Sequence, residues 1–267
     1  NNENWLKTWY SHKRGSGRQI EIKRFVDVEK FGKLLGQYQA EGTKHKNNKK
    51  HCLQFANKLV KEHEDYLNYL EELVINKEKS EFEFSYNPNK ISRSDLEFYV
   101  KEFNDVINLP LKITPREKTK GRGFRNTIRN VLLTEIVINS MNFVRRYLAS
   151  KKEYSELDKR LADSFFSKLL TGDGTLDINI GDYDFPSTRI KIVDEDLEYL
   201  EDYRLIMNNL GFRAKITEKH IFVRAGISFD KLIYLYKIEA FKNTNNWNKL
   251  IVLIELYLQG RRLNTNY

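Results

Sequence analysis

A short helical signature occurs twice in this chain and limits how it can fold. Leu34-Leu35-Gly36-Gln37-Tyr38-Gln39-Ala40-Glu41-Gly42 lies near the front, and Phe166-Ser167-Lys168-Leu169-Leu170-Thr171-Gly172-Asp173-Gly174 past the middle. Each is an apolar helix ending in a small residue, an acid and a glycine. The acids Glu41 and Asp173 lie about half the chain apart. An acid at a helix C-terminus opposes the macrodipole, so matched placements imply a compensating cation. Two such halves suggest one composite acidic site on a pseudo-twofold axis, suited to metal-assisted chemistry on a two-stranded substrate.

Composition narrows the partner. Lys and Arg total 46 against 37 Asp and Glu, a net charge of +9 over 267 residues. That balance favours a polyanion, with nucleic acid first. The single Cys52 excludes an internal disulfide framework and a cysteine-based zinc site, and fits a reducing compartment. The five His residues form no ligand spacing. No run reaches the length of a membrane span. The expectation is an intracellular protein, cytoplasmic or organellar, that acts as a monomer.

Residues 1–26 read as a basic and aromatic arm, either touching nucleic acid or strapped to the first helix. Residues 27–152 form a first repeat and 153–267 a second. Asp27 is the expected N-cap of a helix with apolar residues at helical spacing. A strand at 52–56, a helix from Leu59 to Leu73, a strand at 81–86 and a helix over 94–107 follow. A basic loop is expected at 114–126, a buried strand at Val131–Ile138 and a helix at Met141–Leu148. The second half is cleaner: helix 155–172, strands 175–180 and 188–193, helix 196–210 closed by Gly211, strands 213–217 and 221–225, and helices 228–240 and 247–258. Each half thus reads αββαββα, an α+β fold.

This order, with helices ending in small-acid-Gly, resembles the single-chain, two-repeat LAGLIDADG homing endonucleases over roughly residues 25–258. The resemblance implies two antiparallel sheets forming a DNA-binding saddle with helices packed behind. It implies that the signature helices approach through Gly36, Ala40, Ser167 and Gly172. Lys168 departs from the family's glycine, which close approach tolerates only with the lysine turned outward. It implies that Glu41 and Asp173, with the carbonyls of Ala40 and Gly172, hold two or three Mg²⁺ ions shared between the acids. Lys242 in the second half and Lys152 or Lys151 in the first are the implied basic catalytic residues, with Lys120 as a competitor. Asn57 and Asp194 loosely match residues that organise site waters.

The strand pattern supplies a surface for double-stranded DNA with a long target site. Thr175, Asp177 and Asn179 alternate with apolar residues, as do Arg189 with Lys191 and Arg213 with Lys215. Lys44, Lys46 and Lys49 crowd the region after Glu41, and Arg122 and Arg125 join Lys120 in the basic loop. The resulting reading is a site-specific, Mg²⁺-dependent double-strand DNA endonuclease of the kind that serves intron or intein homing, leaving short 3′ overhangs. The alternatives are a DNA-binding protein of the same fold, or an RNA splicing maturase, without cleavage.

Overall fold

The computed structural model describes residues 4–10, 18–43, 52–73, 80–119, 121–179, 187–217 and 222–264. Contacts divide the chain into two compact units, Asn1–Asn139 and Ser140–Tyr267, a division upstream of the expected 152/153 boundary.

In the first unit, β1 (Trp5–Tyr10) and β2 (Arg18–Lys23) form an antiparallel hairpin. Ile20 is its buried anchor. Lys23 ties the hairpin down, through its N–H to the Leu73 carbonyl at 3.1 Å and its ammonium to Glu72 at 2.9 Å. This part of the arm is therefore a strap; the basic turn at 11–17 lies outside the described residues.

Next come α1 (Val28–Glu41), β3 (Leu53–Asn57), α2 (Val60–Leu70), β4 (Ser80–Tyr86), α3 (Arg93–Val106), β5 (Leu111–Pro115) and β6 (Arg122–Ile128). Asp27 caps α1 as expected, accepting from the N–H groups of Glu29 and Lys30. The sheet order is β3-β6-β4-β5. Helix α3 is the crossover that lets β5 pair parallel to β4. The described order therefore departs from αββαββα, and this sheet is mixed rather than antiparallel. The stretch read as a basic loop contains most of β6 and the end of β5.

The core of this unit is aromatic. Val60, Leu67, Phe82, Phe84, Phe103 and Phe124 cluster in it. His63 packs edge-on against Phe55, with ring centroids 4.9 Å apart, and lies near Phe82 and Phe124. Burial pushes its imidazole down to about 4, against the hydrogen bonds that favour its charged form. It is thus neutral at pH 7, with Nε2 3.2 Å from the Asn57 carbonyl.

Helix α4 (Val131–Ser150) runs across the division between the units. The expected strand at Val131–Ile138 is part of it. Leu133, Val137, Met141, Val144 and Leu148 are all buried, one stripe at helical spacing. Asn130 starts the helix by accepting the Leu133 N–H at 3.0 Å. Short apolar runs fit strand and helix alike; only the continuous stripe decides.

The second unit contains α5 (Glu156–Asp173), β7 (Gly174–Asn179), β8 (Ser187–Val193), α6 (Leu197–Asn209), β9 (Arg213–Ile216), β10 (Phe222–Gly226), α7 (Phe229–Lys237) and α8 (Asn245–Asn264). Here the expected αββαββα order is found, with one more helix. The sheet runs β7-β8-β10-β9, antiparallel throughout. Ser155 opens α5 with a capping box to Asp158. Gly211, at φ 79°, closes α6 in a Schellman turn, with the Phe212 N–H on the Met207 carbonyl.

The two signature helices end alike. Leu34 to Gln39 in α1 and Ser164 to Thr171 in α5 are buried without interruption, so these turns are covered on every face. Lys168 is among them at 5% exposure, so it does not turn outward. Gly42 and Gly174 each cap their helix through an N–H bond to the carbonyl four residues back, on Tyr38 and Leu170. Each then pairs with the next described strand of its own unit, Gly42 with Phe55 and Gly174 with Ile192.

A Cβ at either glycine would stand 2.4 Å from that same helix carbonyl. Gly42→Ala and Gly174→Ala should each cost about 1–3 kcal/mol in denaturant unfolding, because backbone must shift to admit the methyl. An unchanged midpoint would show that the helix ends give way freely. His63 sets a second expectation. Between pH 6.5 and about 4 the unfolded chain takes up a proton that the folded core excludes. Stability should fall by about 3 kcal/mol over that window, and His63→Phe should remove about that much of the pH dependence.

Candidate active site and nucleic-acid interface

Glu41 is the last residue of α1 and is half-buried. Asn57, the last residue of β3, donates from Nδ2 to Glu41 Oε1 at 3.2 Å. Its Oδ1 accepts the Leu59 N–H at 2.9 Å, which fixes the amide orientation. Burial, and then the negative charge of Glu62, hold the Glu41 carboxyl above its ordinary range, with Lys58 opposing. Glu62 is itself buried, and Gln37 donates to its Oε2 at 2.7 Å. Sequence reasoning missed Glu62 because it lies outside the signature.

Asp173 ends α5 and is half-exposed. Asp194 follows β8 directly, much as Asn57 closes β3. Its Oδ1 accepts the Asp196 N–H at 3.0 Å, and the Tyr203 hydroxyl reaches its Oδ2 at 3.4 Å. Burial and the charges of Asp194 and Asp173 push the buried Tyr203 phenol well up, so it stays protonated and able to donate.

Lys242 lies in the turn between α7 and α8. Asn246 donates to the carbonyl of Gly174 at 3.3 Å, which brings this turn to the acid end of α5. Asn246 was not singled out from sequence, because nothing local marks it. The turn is strained: Glu239, Phe241 and Asn243 take φ of 56°, 67° and 67°. Glu239 sits in a Schellman turn, where Gly211 serves α6, and its carboxylate grips the Lys242 ammonium at 2.5 Å. Buried Phe241 and the Tyr236–Trp247 stack hold the turn in place.

Other expected residues stand away from Asp173 or lie outside the described residues. Lys152 is exposed between α4 and α5, at the far end of α5 from Asp173, roughly 27 Å away by helix rise. Lys151 is paired with Asp158 at 3.6 Å at that same end. Lys44, Lys46, Lys49 and Lys120 lie outside the described residues, as does the side chain of Asn179. Arg122 is turned to the helix side: it shares strand parity with the buried Phe124, and its guanidinium stacks 3.6 Å over Tyr99. It is removed from the expected DNA face. The rule of alternation misplaced nothing; the residue had been read as loop.

The sheet of the second unit presents its charges as expected. Leu176, Ile190, Ile192, Ala214 and Val223 are buried, and the intervening residues face out. Across the strands, Thr175, Lys191, Arg224 and Lys215 fall in one register row, and Asp177, Arg189, Gly226 and Arg213 in the next. Arg224 was missed from sequence, although Val223 and Ala225 on either side of it give its parity. Arg125 in the first unit also faces outward, opposite Glu83.

Among the described residues no group of three or more His, Cys, Asp or Glu could hold a metal ion. Each acid is nonetheless a hard oxygen donor at the negative end of a helix, beside terminal carbonyls that the helix itself does not use. Mg²⁺ is commonly held by one or two carboxylates with substrate phosphates completing the shell. Ala40 and Gly172, half-buried in the last turns, are placed to offer such carbonyls. At each helix end the acid and the carbonyl before it are hard oxygen donors of the kind a divalent ion takes.

The molecule so described is an α+β protein of two compact units, each with a helix-end acid and a charged sheet face. Among the described residues no helix is long and apolar enough to cross a membrane. No protein-family model and no curated protein matches the chain. In fold it is similar to LAGLIDADG homing endonucleases. One is I-GzeII in complex with its DNA target, at 10% identity over 91% of this chain and 94% of that one, TM-score 0.43. Another is I-SmaMI bound to uncleaveable DNA, at 10% identity over 88% and 90%, TM-score 0.43. Full-length DUF199/WhiA from Thermatoga maritima is also similar, at 15% identity over 91% of this chain and 68% of that one, TM-score 0.41. These likenesses are too distant to carry activity, substrate or site residues across.

The state of Glu41 has a measurable consequence. A raised carboxyl pKa means that folding favours the protonated form. The stability it lends is present at low pH and is lost as pH rises from 4.5 through the folded value. Glu41→Gln should therefore be more stable than wild type at pH 7, with the gap closing below pH 4. Equal thermal midpoints at both pH values would show that the carboxylate is well solvated.

Proposed function

We propose that this chain is a site-specific double-strand DNA endonuclease that hydrolyses phosphodiesters with divalent metal. The observation that carries the reading is the repeated helix end: an acid held against the macrodipole and followed by a glycine that admits no side chain. A cost imposed twice on the same geometry has a use when a cation arrives. The outward row of Lys191, Arg224 and Lys215 supplies the cationic surface that DNA binding requires.

Glu41 and Asp173 are the ligating carboxylates in this reading, with the Ala40 and Gly172 carbonyls beside them. A divalent ion held at either helix end would supply a water of lowered pKa and stabilise the leaving oxygen. Asn57 aims Glu41 by donating to Oε1. Asp194 and the protonated Tyr203 provide an acceptor and a donor to orient water near Asp173. Lys242, released from Glu239 by a phosphate, neutralises charge developing at phosphorus.

A second reading is a DNA-binding protein of this fold that does not cut. Its support is the ion pair between Lys242 and Glu239, which occupies the basic group.

The test is a supercoiled plasmid library carrying randomised inserts, incubated with Mg²⁺ or chelator, with the cut ends sequenced. Linear product at a defined sequence in Mg²⁺ alone is expected. Glu41→Gln or Asp173→Asn should lower linear product at least about 100-fold. Binding without any cutting would favour the second reading, and linearisation by either variant at the wild-type rate would overturn the site.

A further inference from the structure

The two sheets do not present the same chemistry. Among the described residues, the outward rows of the second unit carry Lys191, Arg224, Lys215, Arg189 and Arg213 against the single acid Asp177. The first unit differs. Ala56, Arg125, Glu83 and Lys112 form one cross-strand row, and Gln54, Thr127 and Glu81 the next. Two carboxylates thus stand on a face whose counterpart is basic. An open concavity of about 700 Å³ lies over it, lined by Glu81, Glu83, Lys112, Arg125, Thr127 and Arg129 among others.

Glu83 is held in place. Arg116 Nη2 donates to its Oε1 at 2.8 Å, and Arg125 Nη1 lies 3.8 Å from Oε2. Burial works against its charge, but the Arg116 hydrogen bond and the two arginine charges prevail and keep the carboxyl below its ordinary range. An ionised carboxylate accepts hydrogen bonds and donates none. Against phosphate it is repulsive. In the major groove it has one good use, to accept from an exocyclic amino group, above all cytosine N4. An arginine beside it donates to guanine O6 and N7. Glu83 and Arg125 stand directly opposite each other on β4 and β6, an acceptor and a donor fork side by side. That order matches the edge of a single C·G pair.

From this, and resting on the DNA-binding reading above, we infer that Glu83 and Arg125 are specificity-determining residues that read one C·G base pair. Glu81, bound to the exposed Arg129 at 3.0 Å, sits at the edge of the same face and is the weaker reader.

The experiment selects bound duplexes from a randomised pool, with Ca²⁺ in place of Mg²⁺, using the full chain. Wild type should show a C·G preference at one position of about tenfold or more. Glu83→Gln should bind random duplex several-fold more tightly at low salt and move that preference toward adenine, which glutamine reads. Glu83→Asp keeps the charge and the salt slope but draws the carboxylate back by one methylene, and should weaken the preference, which controls for misfolding. Arg224→Ala should weaken binding on all sequences alike and lower the salt slope by about one, leaving the preference intact. The inference falls if both Glu83 variants keep the wild-type profile, or weaken every sequence equally. Absence of salt-dependent duplex binding by wild type would defeat the DNA reading itself, and this inference with it.

Discussion

The structure turns on an electrostatic conflict placed at the end of a helix. The last carbonyls of α1 and α5 point their partial negative charge at the residues that follow, and in both helices the last residue is itself an acid. In α1 the conflict is sharpened by Glu62, buried behind Glu41 and anchored by Gln37. Neither chain direction nor packing requires an acid there. The capping glycines show how tightly the geometry is drawn, since each helix carbonyl occupies the space a Cβ would need. In the proposed function a cation would resolve the conflict, and the basic sheet face would meet the polyanion that carries one.

Around that constraint the two units have diverged. The second keeps a continuous antiparallel sheet with a nearly uniform cationic face. In the first, the β9–β10 connection has its counterpart in β4, the α3–β5 crossover, and β6, giving the sheet an additional parallel edge strand. The same insertion contributes Lys112 and Arg116, which flank Glu83. The end of the added strand supplies Arg116, and β6 supplies Arg125; together they hold Glu83 below its ordinary carboxyl range on that face. The strained turn around Lys242 has a similar logic. Glu239 occupies a position at which glycine would be relaxed, and its carboxylate holds the lysine.

Much of this was legible in the chain. The signature residues located both acids and their glycines, because small-acid-Gly after an apolar helix is dense with local information. Alternation located the outward residues of β7, β8 and β9. Two things were less legible. Val131–Ile138 reads equally as a strand, and only the buried stripe continuing through Met141 and Leu148 makes it a helix. Strand β6 was hidden by its two arginines and Gly123 in a basic run that resembles a loop, and Arg122 was misplaced because no strand parity was assigned to it. Glu62 and Asn246 act through long-range placement, which no local spacing encodes, whereas Arg224 was marked by the buried Val223 and Ala225 on either side of it.

The most direct test of the helix-end conflict is the effect of a non-catalytic divalent ion on affinity. Binding of a selected duplex would be measured in Ca²⁺ and in chelator, for wild type and for the Glu41→Gln, Asp173→Asn double variant. The account predicts that Ca²⁺ tightens wild-type binding, and that the double variant binds tightly in both conditions, because its carboxylates no longer repel phosphate. An equal response to Ca²⁺ in both proteins would contradict it, for the cation would then be acting somewhere other than the two helix ends.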